Sequence, residues 1–377
     1  MRLHDAREGD EILVRTRPTF FSFFPTYQST AREGVHSTLF ASDPWNLMRH
    51  SIGQIGTASA RSQASAFLAQ ARDFYSASAS SDVRAAKPLL LYYSFLNLAK
   101  ALVVKTSGAT LGRIIHGLSE QLPSTSGAIH GDVLVQAHRG NSQSAFLLLA
   151  DALQTSQAQT FNTLPFRVRS EDFLAQVLIG HRVYAQGTGI KERFISLEQL
   201  RYVHDSNRKT AWLSVRAFAD DFTRLGYPLT GLSRSLTKGV DWRNVNSGAH
   251  LGGRRLLEAE TMREWGYSHR PSQVLSAISD DVRLALWRSV LSVPPYRKYY
   301  IYRATSSQIV LDQLLSIYLA SFYFGSITRY KPEQFEDILE SDIGPFVLEF
   351  FENQPSQFLY LMSSEFVKQE VARAAIT

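Results

Sequence analysis

The feature that most constrains this chain is a run of twenty residues, AAKPLLLYYSFLNLAKALVV, at positions 85–104. Its apolar spacing predicts a helix. Leu91, Phe95, Leu98 and Leu102 share one face, and Leu89, Tyr93, Leu96 and Lys100 share the next. A helix apolar around most of its circumference belongs at the centre of a bundle. Pro88 is tolerated in a first turn, where its missing N–H would have had no partner. Asp82 is placed to cap the helix, and Ser107 with Gly108 ends it. A bilayer span is the competing interpretation, since roughly 20 mostly apolar residues suffice for one. Lys100 argues against it, because a lysine at mid-bilayer costs roughly 2.5–3.5 kcal/mol. The apolar stretch 309–324 contains Asp312 and Gln313 and is a core helix by the same argument.

Such a helix needs apolar neighbours. In 59–80, Ala64, Phe67, Ala71, Phe74 and Tyr75 recur at three- and four-residue spacing, and 144–153 predicts a short helix. Beyond residue 305, Leu311, Leu314, Leu315, Tyr318, Leu319 and Phe322 form another apolar face. Pro332, Pro345 and Pro355 each suit the first turn of a new helix. The middle of the chain differs. Stretches 193–197, 210–218 and 299–303 are aromatic and β-branched, which favours strands, as does partial alternation over 128–139. Residues 280–291 predict a helix, and 247–253 a glycine-rich loop. The first 55 residues look irregular. Phe20, Phe21, Phe23 and Phe24 within them predict an arm packed on the body, since large exposed apolar patches are uncommon. The expected fold is α+β and predominantly helical: a helical bundle built from the N- and C-terminal parts, with a mixed α/β middle insertion. The expected divisions are 1–163, 164–305 and 306–377, with the polar stretch 154–163 as a linker.

Composition removes several chemistries. There is no cysteine, so disulfides, thiolate metal sites and a thiol nucleophile are excluded. Histidines do not pair at zinc-ligand spacing, so no metal and no cofactor is expected. No Walker A loop or nucleophile elbow is present. The charged N-terminus MRLHDAREGDE lacks the apolar core of a secretory signal, and a cytoplasmic protein without membrane attachment is expected. The net charge is +6, carried by 31 arginines and nine lysines. Arginine's planar fork suits phosphates, but no dense basic run occurs.

Two segments carry a family resemblance. KPLLLYYSFLNLAKALVV is followed by Thr110-Leu111-Gly112-Arg113-Ile114-Ile115-His116-Gly117-Leu118. Tyr318-Leu319 is followed by Gly325-Ser326-Ile327-Thr328-Arg329-Tyr330-Lys331-Pro332, with Phe335 just beyond. The first resembles the helix and HGL tripeptide of YaaC-like proteins; the second resembles that family's apolar helix ending in an Arg-Tyr-x-Pro turn. The N-terminal motif also resembles the wider HEPN-like helical group. Its members include ribonucleases of toxin and antiphage systems, and proteins that only bind nucleotides or partners. The resemblance implies a subunit of a bacterial defence or stress assembly, as a homo-oligomer or within a multiprotein complex. RNA, DNA or a nucleotide would be the ligand. A non-enzymatic interaction protein and an enzyme of nucleotide metabolism are the alternatives.

The HEPN nuclease motif places four to six residues between an arginine and a following histidine. Arg243 with His250 and Arg263 with His269 fit this spacing. Ten histidines and 31 arginines give about 2.5 such pairs by chance, so the spacing alone carries no weight. The better set lies in the family motif. Tyr93, Asn97 and Lys100 form a polar strip on an otherwise apolar helix, and such groups must find partners. Arg113 and His116 could face that strip from the next loop. Lys100 and Arg113 would supply charge and His116 an acid or base, making these three the candidate catalytic residues. Tyr93, Asn97, Arg329 and Tyr330 are the candidate binding residues. The alternative role of the strip is a structural network, and that of Arg329 is to complement the helix dipole.

Overall fold

In the computed structural model, residues 3–14, 17–25, 38–80, 86–122, 129–153, 165–236, 239–291 and 298–373 are described. The linker expected at 154–163 and the cap expected at Asp82 lie outside them. The fold is α+β with helix predominating. The chain divides into two compact units: residues 42–190 with 307–367, and residues 1–41 with 191–306 and 368–377.

The first unit is the helical bundle. Its central helix is Lys87–Ser107, with Pro88 in the first turn. Gly108, in the left-handed region at φ 67°, closes it by donating its N–H to Val104 O. Leu91, Phe95 and Leu98 are fully buried. This is the one helix among the described residues long and apolar enough to cross a membrane, and most of it is buried in the bundle. Helices Ala58–Ser80, Ala145–Ala152, Gln313–Tyr330 and Gly344–Val367 pack around it. Early and late segments of the chain therefore share one core, as the apolar patterns predict. Two features depart from expectation. A helix, Pro44–Gly53, lies within the stretch expected to be irregular; the Asp43 carboxylate accepts from Trp45 N at 2.9 Å and starts it. Pro355 does not begin a helix but sits inside the continuous helix Gly344–Val367. Burial of Phe346, Phe350, Phe358 and Met362 along that helix outweighs the single hydrogen bond the proline cannot donate.

The second unit is built on a mixed sheet. Its strands run in the order His4–Asp5, Trp242–Asn246, Arg254–Thr261, Thr210–Phe218, Gln199–Asp205, Asp10–Glu11. One face carries the core, including Tyr202, Leu213, Val215, Ala259, Ile278 and Ile301. The predicted strands appear at Phe194–Leu197, Thr210–Phe218 and Tyr299–Tyr302. The helix expected over 280–291 instead spans Leu275–Val282, and the chain turns into strand Trp287–Arg288. Trp287 and Arg288 pair with Tyr300 and Tyr299 in a separate three-stranded sheet completed by Phe194–Leu197.

The boundaries also differ from those expected. The N-terminal arm belongs to this mixed unit because two of its strands join the sheet and Phe21 enters the core, edge-on to Tyr299 at 5.1 Å. Phe20 remains exposed. Residues 165–190 belong to the bundle, where strand Phe166–Arg169 pairs with Asp132–Val135.

Candidate functional site

The central helix presents Tyr93, Leu96, Asn97 and Lys100 at i, i+3, i+4 and i+7, so they stack as one stripe. That stripe walls a cavity of about 340 Å³. Gln70 and Phe74, one turn apart on helix Ala58–Ser80, line it beside the stripe, and so do Ile114, Ile115 and His116. Phe74 stacks on Tyr93 with ring centroids 5.5 Å apart. Asn97 is nearly buried and donates through Nδ2 to Tyr93 O at 2.9 Å, which aims the rest of the amide along the stripe.

Lys100 has the least ordinary surroundings. It is half-buried, and its ammonium sits 5.4 Å from the Phe67 ring centroid. No carboxylate pairs with it among the described residues. Burial lowers its pKa from the usual lysine value. A half-buried cation facing an open cavity without a counter-ion is costly unless an anion completes it.

His116 follows strand Arg113–Ile115, and its Nδ1 lies 2.5 Å from the Tyr92 hydroxyl. Tyr92 is buried, and burial together with neighbouring Tyr318 raises its pKa well above the usual phenol value, so it stays protonated. The His116 pKa is lowered, first by desolvation, then by the fields of Lys100 and Arg329. The imidazole is therefore neutral at neutral pH, with its outer edge exposed. Gly117 makes this placement reachable. Its φ is +75°, and a Cβ there would stand 1.7 Å from Ser144 Oγ. Only glycine fits between His116 and that serine.

A second cavity, about 310 Å³, shares Tyr93 and His116 with the first. Helix Gln313–Tyr330 supplies Phe322, Ser326, Arg329 and Tyr330, and strand Leu118–Gln121 supplies Ser119 and Glu120. Gly325 lets the two helices approach: a Cβ at Gly325 would lie 3.3 Å from Tyr92 Cβ. Arg329 and Tyr330 are exposed at the rim, with the guanidinium 4.9 Å from the tyrosine ring centroid.

The structure thus brings Tyr93, Asn97, Lys100, His116, Arg329 and Tyr330 around two adjoining cavities. Arg113 is not among them; it is exposed on its strand and lines neither. Arg243 and His250 do not meet. Arg243 lies on strand Trp242–Asn246, and its guanidinium pairs with Glu260 at 2.9 Å. His250 faces Arg255 in register, five residues along the same partner strand, or roughly 17 Å at strand rise. Arg263 is held by Asp281 at 2.6 Å. Tyr92, Gln70, Phe74 and Glu120 were not expected at the site. Tyr92 is one residue from Tyr93 and so turned about 100° around the helix, toward His116.

The family model for YaaC-like protein matches residues 27–366, nearly the whole chain. The chain belongs to the YaaC-like family. No curated protein and no solved structure matches it. Both cavity-lining motifs, the central helix with the His116 loop and the helix ending at Arg329-Tyr330, lie inside the YaaC-like match.

Proposed function

We propose that this YaaC-like protein binds a phosphate-bearing ligand, a nucleotide or nucleic acid, in the cavities flanking His116. One observation carries the proposal: Lys100 faces a cavity while half-buried and without a carboxylate partner among the described residues. Arg329 adds a second cation at the adjoining rim, also without an ion pair among the described residues. Phosphate suits such a pocket because each oxygen accepts a charge-assisted hydrogen bond, and the Phe74–Tyr93 wall offers a face for a base. The neutral His116 held by Tyr92 favours a second reading, phosphodiester cleavage with the imidazole as proton acceptor. A place in a bacterial defence or stress assembly is the biological setting that fits either reading.

Isothermal titration of the full chain with AMP, GMP, CMP and UMP tests the first. Saturable binding of at least one nucleotide, weakened tenfold or more by Lys100→Met, is expected. No heat from any of the four at millimolar concentration would refute it. Total RNA left intact by wild type, with or without divalent cations, would refute cleavage.

A further inference from the structure

The two cavities are walled by the same pair, Tyr93 and His116, and differ in chemistry on either side. On one side are Lys100, Asn97 and the stacked Phe74. On the other are Arg329, Tyr330 and Glu120. Each is about 300 Å³, at the bottom of the roughly 300–1,000 Å³ usual for small-molecule sites, whereas the two together fall well inside that range. Both sides hold the same pairing of parts: an aromatic ring, a cation without a carboxylate partner among the described residues, and a hydrogen-bonding group that can read a base edge. Asn97 keeps Oδ1 as an acceptor after donating Nδ2 to Tyr93 O. Glu120 offers two acceptors. Tyr330 leaves 59% of its surface exposed at the rim, so a base can reach its ring.

We infer that the ligand is a dinucleotide unit, two nucleosides joined by a phosphodiester, with one base in each cavity and the linking phosphate passing over His116 between Lys100 and Arg329. Of the shared wall, Tyr93 is half-buried and His116 is exposed, so a chain crossing from one cavity to the other passes over the His116 edge. The two cations whose fields reach His116 then flank the linking phosphate from opposite sides. Glu120 gives its cavity a preference for a base edge that donates hydrogen bonds. This inference rests on the proposed nucleotide binding and sharpens it.

Titration calorimetry on the full chain compares pApA, pGpG, pCpC and pUpU with the matching mononucleotides. At least one dinucleotide is expected to bind ten times tighter than its mononucleotide or better. Tyr330→Ala should bring that ratio close to one, as should Arg329→Gln. Both side chains are exposed, so the variants keep the fold, which circular dichroism checks. If mononucleotides bind as tightly as dinucleotides, or neither variant changes the ratio, the two-cavity inference is overturned while nucleotide binding stands. If no probe of either length binds, both fall.

Discussion

Gly117→Ala puts a number on the fit that places His116. Two costs follow from the geometry. The φ of +75° lies in the left-handed region, where an alanine pays about 1–2 kcal/mol relative to glycine. The new methyl would also lie 1.7 Å from Ser144 Oγ and 2.5 Å from Ser144 Cβ. Turning the hydroxyl aside relieves only the first contact. It also breaks the cap at the start of helix Ala145–Ala152, where Ser144 Oγ accepts from Leu147 N at 3.4 Å, a loss of about 0.5–2 kcal/mol. Together these predict a destabilisation of about 1.5–4 kcal/mol. Ser144→Gly separates the parts. Glycine is nearly as good an N-cap as serine, so this change alone should cost a few tenths of a kcal/mol. With the serine gone, Gly117→Ala should cost only its backbone share, about 1–2 kcal/mol. Urea denaturation of the four proteins, followed by far-ultraviolet circular dichroism, gives the coupling directly. A cost of Gly117→Ala below about 0.5 kcal/mol, or one unchanged by Ser144→Gly, would refute the argument that only glycine fits here.

Three further predictions use the same structure. Lys100→Met removes the larger of the two fields that lower the His116 pKa, so the imidazole midpoint followed by NMR should rise; a fall or no change would show that the lysine does not act on it. Because the folded His116 pKa lies below 6.5 and the unfolded value does not, the bundle should lose stability as pH falls below about 6.5, where only the unfolded chain gains the proton. In wild type this appears as a falling urea midpoint, and His116→Asn should flatten it. In the mixed unit, fully buried Glu370 accepts from the Tyr299 hydroxyl and pairs with Lys298 at 2.5 Å. Burial alone would raise its pKa, but Arg288, Lys298 and Tyr299 together hold it below the usual value, so its contribution is present above about pH 4.5 and lost as pH falls further. Glu370→Gln should cost about 3–5 kcal/mol at pH 7 by removing the buried carboxylate that Arg288 and Lys298 act on, and much less at pH 3.

The sequence showed the bundle well because its signal is periodic. The central helix carries its apolar residues at helical spacing over twenty positions, and Tyr93, Asn97 and Lys100 break that pattern on one stripe. What stayed hidden is what periodicity does not encode. The arm joins the sheet through strands of two residues, too short to alternate. Pro355 reads locally as a helix start, yet long-range burial keeps its helix whole. Arg113 and His116 are three apart, but only the second turns into the cavity, because Gly117 and Ser144 set the direction of the chain after the strand. Tyr92 and Tyr93 look equivalent in the text; only helix Gln313–Tyr330 and the His116 loop distinguish them.

The way the chain is shared between the units has a consequence for its synthesis. The boundaries at 41/42, 190/191, 306/307 and 367/368 mean that neither unit is a continuous stretch. As the polypeptide leaves the ribosome, the central helix must wait for helices Gln313–Tyr330 and Gly344–Val367. Strand Thr38–Ala41 waits longer still, for its parallel partner Glu370–Arg373. Domains usually fold as they emerge, N-terminal first. Here apolar faces made early stay uncovered until the helices over 313–367 have been added, and loss of strand Glu370–Arg373 would reach back to Thr38–Ala41.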